Sequence, residues 1–424
     1  MTAYRKRVVD RLLSQSLQGS GAVLIEGPKW CGKTTTAEQQ AKSILYMDDP
    51  SQIDQNIQMA SIDPNRLLLG ETPRLLDEWQ IAPQLWDSVR FTVDHREGLG
   101  QFMLTGSAVP AGRSKIHHTG TGRFSWLMMR PMSLWESGDS SGEVSLSELF
   151  SEPVKIEGEN KQNIDSLAFL ACRGGWPLSV DMEREIALRQ SFNYLDAVVN
   201  NDISRADGVN RSPERVRRIM RSLARFQGAQ TSIATIRKDI KSNEAEAFDD
   251  DTVYSYLDAL KKIFVIEDSP AWNPNLRSKV AIRTSDTRYY IDPSIAVAAL
   301  GAGPTDLIND LNTMGLIFET MCVRDLRIYA QAIDGSVYHY RDGNGLECDA
   351  VVHLRNGKYG LVEVKLGGED LINQGVKTLT EMTRIIDTSK MKAPSFRMVL
   401  VGTGKYAYRL ENEIYIVPIG CLKD

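Results

Sequence analysis

Short apolar runs alternate with amphipathic segments over residues 21–133. The apolar runs are AVLIEG, ILYMDD, PRLLDEW and QFMLTGS, and helix-like segments such as PQLWDSVRFTVDHR lie between them. This alternation is typical of parallel strands that are joined by crossover helices. We therefore predict an α/β domain with a parallel sheet over residues 1–135.

The hydrophobic pattern changes after the polar stretch ESGDSSGEVS, which is typical of a loop or a domain boundary. We predict a mostly helical lid or connector over residues 136–203. Residues 204–305 contain three helical segments that are followed by short strands. Residues 306–424 begin with one long helix, MGLIFETMCVRDLRIYAQ, and continue as strands. A chain of this length is expected to form several domains.

Charge and cysteine content narrow the possible classes of protein. The chain has 50 Lys and Arg against 55 Asp and Glu, so a nucleic-acid surface must be a local patch. Its five cysteines are scattered and include no CxxC pair, which favours reduced thiols over a zinc module. No apolar run is long enough to span a bilayer, and no signal core follows the first charges. We expect a cytoplasmic protein without membrane association.

The stretch GPKWCGKTTT follows the first apolar run and precedes a helix-like segment. It matches G-x-x-x-x-G-K-[ST], in which backbone N–H groups curl around phosphates at a helix N-terminus. Lys33 is expected to reach the outer phosphates, and Thr34 is expected to bind Mg²⁺. We therefore predict an ATP site formed by Gly27, Pro28, Lys29, Trp30, Cys31, Gly32, Lys33, Thr34 and Thr35.

Acidic and hydroxyl side chains follow two later strands of the predicted sheet. Asp77 and Glu78 end the strand in RLLDEWQ, where an Asp supports Mg²⁺ and an adjacent carboxylate polarises the attacking water. Thr105 and Ser107 end the strand in FMLTGS. Ligands of parallel sheets bind at the carboxyl ends of strands, so both are candidate γ-phosphate sensors. A simple strand-to-loop turn is the alternative for this second pair.

Five segments together carry a family resemblance: GPKWCGKTT, RLLDEWQ, FMLTGSA, TGRFSWLMMRPMSLWE and GGWP. In this order they resemble prokaryotic AAA-type ATP-binding proteins that carry a C-terminal domain of unknown function. The resemblance implies an AAA-like ATPase core, a winged-helix region and a nuclease-like C-terminal domain. It also implies an arginine finger, at Arg123 or Arg130, that acts in cis or in a neighbouring subunit. We therefore expect a homo-oligomer.

An arginine-rich helix is predicted in the middle region, over SPERVRRIMRSLARFQG. Arg217, Arg221 and Arg225 are four residues apart on one face, and Arg218 lies beside them. With two further short helices and FVIEDSPAW as the start of a wing, the region fits a winged helix with TVYSYLDALKK as its recognition helix. The alternative is a solvated helix face, and Asp258 on the recognition helix opposes phosphate binding.

A second candidate site lies near the C-terminus, in ECDAVV and LVEVK. Asp349 precedes Glu363 and Lys365, whose side chains share one face of a strand. Together they resemble the PD-(D/E)xK nuclease site, in which two carboxylates bind Mg²⁺ and the lysine orients the attacking water. Glu319 on the long helix is a candidate third metal ligand, and Gln374 is a further candidate. The alternative is an ordinary Glu-Lys ladder on an exposed strand.

The loop between these two strands decides whether such a site can form. A two-residue Asn356-Gly357 turn would put Asp349 and Glu363 on opposite faces of the hairpin. A three-residue loop with Gly357 in the left-handed conformation would place Asp349 opposite Glu363. A metal site therefore requires the three-residue loop, although the Asn-Gly pair favours the shorter one.

Two classes of function remain open from the sequence. The first is an ATP-dependent enzyme that acts on nucleic acid, DNA rather than RNA, with ATP and Mg²⁺ as cofactors and a C-terminal Mg²⁺-dependent nuclease. The second is a nucleotide-controlled switch or scaffold in defence or regulation, whose nuclease-like domain only binds.

Overall fold

The computed structural model describes residues 3–106, 119–151, 155–241, 249–273 and 285–424. The chain divides into two compact units. The first contains Met1–Pro131, Asn200–Arg211 and Asp258–Phe264. The second contains Met132–Val199, Ser212–Leu257 and Val265–Asp424. Each unit therefore contains segments that are far apart in the sequence.

A five-stranded parallel sheet forms the centre of the first unit. Its strands, in chain order, are β1 Ala22–Glu26, β2 Ser43–Tyr46, β3 Arg74–Asp77, β4 Phe102–Gly106 and β5 Phe124–Met128. They lie side by side in the order β2-β3-β4-β1-β5. The predicted parallel sheet is confirmed. Because all strands run the same way, the residues that follow them meet at one edge.

Four helices cover this sheet: α1 Val8–Gly19, α2 Lys33–Glu38, α3 Ile53–Ile62 and α4 Leu85–His95. The strands β1, β3 and β4 are buried along almost their whole length. Such continuous apolar runs are what a parallel sheet covered on both faces requires. The short helix α10 Ile203–Arg205 also belongs to this unit.

Helices dominate the first part of the second unit. Those before residue 206 are α5 Leu134–Ser137, α6 Leu146–Leu149, α7 Ile164–Arg173, α8 Pro177–Val180 and α9 Arg184–Ala197. A π-helical turn, Val198–Asp202, follows α9. Two short strands, β6 Val144–Ser145 and β7 Gly158–Glu159, lie among them.

The middle region has the order of elements that the sequence predicts. Three helices, α11 Pro213–Arg225, α12 Ile233–Lys241 and α13 Asp250–Lys262, precede the antiparallel pair β8 Ile266–Ser269 and β9 Thr287–Tyr290. The boundary between the two units falls within α13. A winged helix over this region stays a prediction.

A mixed seven-stranded sheet forms the C-terminal part. It is preceded by α14 Pro293–Leu300, α15 Pro304–Asn309 and the 22-residue helix α16 Leu311–Ala332. Its own strands are β10 Gly335–Arg341, β11 Glu347–Leu354, β12 Tyr359–Lys365, β13 Phe396–Val401, β14 Tyr406–Arg409 and β15 Ile414–Pro418. The order is β10-β11-β12-β13-β15-β14-β7, and helix α17 Glu369–Ile385 follows β12. A last strand, β16 Leu422–Lys423, pairs with β6.

All five cysteines are free, as the scattered spacing predicts, and all are buried. Across the part of the chain that the structure describes, no helix is long and apolar enough to cross a membrane.

Candidate active sites

The loop after β1 has the backbone of a phosphate-binding loop. Gly27 has φ 153° and Gly32 has φ 96°, conformations that side chains rarely allow. A Cβ at Gly27 would lie 2.0 Å from the carbonyl oxygen of Met129, so this position requires glycine. Lys33 is buried, and its Nζ donates to the carbonyls of Gly27 at 2.9 Å and Pro28 at 2.8 Å. The lysine therefore lies along the inside of the loop.

Some of the remaining loop residues are buried and others are exposed to solvent. Cys31 is buried and its Sγ lies 3.6 Å from the carbonyl oxygen of Met129. Trp30 has φ 66° and a side chain that is 47% exposed, and Thr35 is also exposed. Lys29 forms a 2.6 Å ion pair with Asp202, which ends the π-helical turn. No pattern in the sequence indicated this long-range contact.

Two hydroxyls, one from the start of α2 and one from β4, bind the carboxylate at the end of β3. Asp77 is buried and its Oδ1 accepts from Thr34 at 2.7 Å and from Thr105 at 2.5 Å. Burial raises the pKa of Asp77, while the two hydroxyls act in the opposite direction. Thr34 and Asp77 are therefore in contact across the loop. Ser107, the other candidate on β4, lies outside the described residues.

Glu78, directly after β3, has an unusual backbone conformation. Its φ of 52° and ψ of 42° are left-handed, a conformation that is rare for a residue other than glycine and often marks functional positions. Its Oε2 accepts a hydrogen bond from the side chain of Gln80. Gln80 therefore helps to hold this carboxylate in place, a contact that no sequence pattern indicated.

The two candidate arginine fingers lie at opposite ends of β5. Arg123 precedes β5, at the amino edge, where its Nε is 2.7 Å from Asp94. The five-residue strand puts it roughly 17 Å from the loop edge, so Arg123 cannot reach phosphates bound by its own chain. Arg130 follows β5 at the carboxyl edge, where the phosphate-binding loop also lies. A role for Arg123 in a neighbouring subunit stays a prediction.

The N-terminal residues support the phosphate-binding loop, which the sequence patterns did not indicate. Arg7 is buried and donates to the carbonyl of Cys31 at 2.8 Å and to that of Arg130 at 2.7 Å. Tyr4 donates to Asp10 at 2.6 Å and lies 3.0 Å from the Thr36 hydroxyl. One guanidinium therefore ties the loop to the end of β5. A charged cluster near a terminus carries no local signal for such a contact.

The C-terminal hairpin has the loop that a metal site requires. Leu354 donates to the carbonyl of Lys358 at 2.8 Å, and Gly357 has φ 84°. The strands pair Ala350 with Val362, and one further step of this register sets Asp349 opposite Glu363. The three-residue loop is therefore the one formed, despite the Asn-Gly signal for the shorter turn.

Asp349 and Glu363 converge on Lys365. The lysine Nζ lies 2.7 Å from Oε2 of Glu363 and 3.4 Å from Oδ2 of Asp349. Asp349 Oδ2 also accepts from the Val364 backbone at 2.7 Å. Burial and the charge of Asp349 raise the pKa of Glu363 to about 8. Burial lowers the pKa of Lys365, but the two carboxylates outweigh it and raise that pKa.

Glu319 lies near this pair without joining a complete cluster. It keeps partial access to solvent, and Tyr289 donates to its Oε1 at 2.6 Å. Desolvation of the Glu319 carboxyl by the surrounding protein raises its pKa well above the usual range, and the charge of Asp349 acts in the same direction. Gln374 is exposed on α17. Within the described ranges, no group of three or more His, Cys, Asp and Glu is arranged to hold a metal.

Three of the four arginines that we predict to contact nucleic acid form ion pairs with acidic partners. Arg217 lies 2.8 Å from Asp196, and Arg225 lies 2.6 Å from Asp239. Arg218 pairs with Glu214 of its own helix at 2.7 Å. Arg221 is exposed, and Asp258 on α13 pairs with Lys262 at 2.6 Å. The local positive charge of this face is therefore smaller than its sequence indicates.

Comparisons with protein families match three successive regions. Residues 19–137 match the model of an AAA domain. Residues 164–306 match a domain of unknown function, DUF8612, and residues 314–422 match another, DUF4143. The first region contains the phosphate-binding loop, Asp77 and Arg130. The third contains Glu319, Asp349, Glu363 and Lys365.

Full-length relatives are distant. Two uncharacterized proteins, Rv2008c of Mycobacterium tuberculosis and Mb2031c of Mycobacterium bovis, are each 23% identical over 96% of this chain and 82% of their own. A Walker-type ATPase of Pyrococcus abyssi is 13% identical, with a TM-score of 0.39 over 68% of this chain and 94% of its own. That TM-score is too low to support an argument about the fold. The family match and the loop geometry make residues 19–137 an AAA-type P-loop domain, followed by two regions of unknown function.

Proposed function

We propose that this protein binds and hydrolyses ATP at its P-loop. The contact between Thr34 and Asp77 at the mouth of the loop carries the proposal, because these are the two side chains that hold Mg²⁺ in P-loop ATPases. Lys33 neutralises phosphate charge when it turns from the Gly27 and Pro28 carbonyls to the nucleotide. Glu78 orients the attacking water and takes its proton.

A divalent cation fits the residues at both candidate sites. At the P-loop, one hydroxyl and one carboxylate lie 2.7 Å apart. At the C-terminal hairpin, two carboxylates contact one ammonium group, so both lie within reach of one small cation. Mg²⁺ is commonly held by one or two carboxylates, with water and phosphate completing its shell. When bound, it supplies charge neutralisation at phosphate oxygens.

We further propose that the C-terminal site cleaves phosphodiesters in nucleic acid, with DNA preferred to RNA. The hairpin register supports this, since it brings Asp349 and Glu363 to one face beside Lys365. The lysine orients the attacking water, and ATP turnover in a homo-oligomer licenses cleavage. The arginine face of α11 provides backbone contacts to the nucleic acid.

A second candidate function is a nucleotide-controlled switch whose C-terminal domain binds without cleaving. The position of Lys365 favours it, because the ammonium occupies the space between the two carboxylates that a cation would share. In this alternative, defence or regulation depends on nucleotide state alone.

One experiment separates the two functions. Purified protein is incubated with plasmid, single-stranded DNA and RNA, with and without ATP and Mg²⁺. Cleavage that is lost in Asp349→Asn and retained in Asp342→Asn, a half-buried turn residue outside the pair, supports the nuclease. ATP hydrolysis without cleavage of any substrate favours the switch. Absence of ATP hydrolysis contradicts the first proposal.

A further inference from the structure

One buried guanidinium, that of Arg7, contacts both the P-loop and the segment after β5. Arg7 directly precedes α1 and is 6% exposed. Its Nη1 donates to the carbonyl oxygen of Cys31 over 2.8 Å, and its Nη2 donates to that of Arg130 over 2.7 Å. A guanidinium is planar and always charged, so the two hydrogen bonds form one rigid, charge-assisted bridge.

The backbone of Arg7 is also held in place. Its N–H donates to Oδ2 of Asp10 at 2.8 Å, and Oδ1 of Asp10 accepts from the Tyr4 hydroxyl at 2.6 Å. The Tyr4 hydroxyl also lies 3.0 Å from Oγ1 of Thr36, on the helix that carries Lys33. The start of α1 is therefore bound to α2 through these side chains, so the Arg7 side chain extends from a fixed point.

The P-loop packs closely against the segment that Arg7 joins to it. A Cβ on Gly27 would lie 2.0 Å from the carbonyl oxygen of Met129 and 3.5 Å from Sγ of Cys31. The Met129 N–H donates to the carbonyl of Glu26 over 2.7 Å, which continues the pairing of β5 with β1. The bridge therefore connects the loop to a part of the chain that the sheet already holds.

The bond to Cys31 sets the direction of one backbone donor of the loop. Cys31 and Gly32 share a trans peptide, whose C=O and N–H point in opposite directions. Because Arg7 binds the C=O, the N–H of Gly32 points away from the guanidinium. Backbone N–H groups of such loops bind phosphate oxygens. A charged donor at the carbonyl also polarises the peptide, which strengthens the opposite N–H as a donor.

We propose that Arg7 is a positioning residue for nucleotide binding. It holds the Cys31–Gly32 peptide in the orientation that binds phosphate, and it acts through the loop backbone rather than on a reacting atom. This inference rests on the ATP site proposed above. It goes beyond that site in assigning a function to a residue outside residues 19–137, the region that matches the AAA domain.

Lys6 provides a matched control. It is the preceding residue, it is also a cation, and it is exposed. Lys6→Ala and Arg7→Ala each remove one positive charge at adjacent positions. A general electrostatic effect on the nucleotide would affect both variants, whereas a positioning role would affect only Arg7→Ala. Arg7→Lys keeps the charge, but a single ammonium group cannot reproduce the two-armed geometry of the guanidinium.

The test is a calorimetric titration of nucleotide-free, full-length protein with Mg·ADP, which measures both the affinity and the fraction of sites that bind. We expect Arg7→Ala to bind about 10- to 100-fold more weakly than wild type at unchanged stoichiometry, as loss of a residue that orients a binding group typically does. Arg7→Lys should also bind more weakly, and Lys6→Ala should bind as wild type does. A merely structural role would lower the stoichiometry, because part of the protein would unfold, and leave the affinity unchanged. Lys33→Ala should lose the binding.

Three results overturn the inference. Wild-type affinity in Arg7→Ala, with binding lost in Lys33→Ala, would leave the ATP site standing and remove Arg7 from it. Equal weakening in Lys6→Ala and Arg7→Ala would assign the effect to charge alone. Wild-type affinity in Lys33→Ala would reject the ATP site and the inference together. If Arg7→Ala does not fold, Arg7→Lys carries the test, since unchanged affinity there would show that the two-armed bridge is not required.

Discussion

Arg324 donates from Nη1 to Oδ2 of Asp292 over 2.8 Å, and both side chains are buried. A second carboxylate, Asp325, lies 2.7 Å from Nη2 of the same guanidinium. The two aspartates also bind backbone: Asp292 accepts from Gly175 at 3.0 Å, and Asp325 accepts from Leu134 at 2.9 Å. One buried ionic cluster therefore joins the GGWP and RPMSLWE motifs to α16.

We predict that Arg324→Met destabilises the second unit by about 3–5 kcal/mol. It leaves two buried carboxylates without their cation, and an uncompensated buried charge is costly. The matched control is Arg341→Met, which breaks an exposed 3.0 Å pair with Glu347 and should cost about 0–1 kcal/mol. Urea denaturation followed by tryptophan fluorescence measures both. Equal stabilities of the two variants would contradict the prediction.

Lys33→Ala and Glu78→Gln should separate nucleotide binding from turnover. Lys33 neutralises phosphate charge in the ground state as well as the transition state, so its loss should abolish ATP binding. Glu78→Gln keeps the phosphate contacts and removes only the base, so binding should persist while turnover falls about 10²- to 10⁴-fold. Calorimetry measures ATP binding, and phosphate release measures turnover. Glu97→Gln, an exposed change at the amino edge, is the control. Wild-type hydrolysis by Glu78→Gln would exclude it as the base.

Arg130→Ala should reduce ATP turnover about 10³-fold, because Arg130 lies at the edge of the sheet that carries the P-loop. If the finger acts in a neighbouring subunit, activity per chain should rise with protein concentration. Mixing Arg130→Ala with Lys33→Ala should then restore activity. The same mixing test applied to Arg123→Ala decides its role in trans. Activity that does not depend on concentration would argue against a trans finger.

Replacing Arg217, Arg221 and Arg225 by Ala should weaken nucleic-acid binding for all sequences and flatten its salt dependence. The ion pairs add a second expectation. Asp196→Asn and Asp239→Asn should strengthen binding, because each releases an arginine that is now neutralised. Fluorescence anisotropy over a range of salt concentrations measures the slope. An unchanged slope in the triple variant would assign these arginines to a solvated face.

Contiguous patterns were sufficient to predict much of the first unit. The apolar runs before the P-loop and in RLLDEWQ became β1 and β3, and Asp77 lies at the strand end where the sequence placed it. These predictions depend on nearest neighbours along the chain: strand periodicity, glycine positions and a helix start. The hairpin loop was harder to predict from the sequence. Its Asn-Gly pair favoured the two-residue loop, and only the requirement that Asp349 and Glu363 share one face indicated the three-residue loop.

Contacts between distant segments were decided by the tertiary structure. Arg7 binds the P-loop, Tyr289 binds Glu319, and Arg324 binds Asp292. An isolated Arg, Tyr or Asp has the same local pattern whether it is solvated or buried against a partner. Its role follows from which partner the packing brings within 3 Å and from the cost of burying a polar group alone. The sequence by itself determined which segments form the candidate phosphate-binding and carboxylate sites. The packing decided which distant residues contact and orient the side chains of those sites.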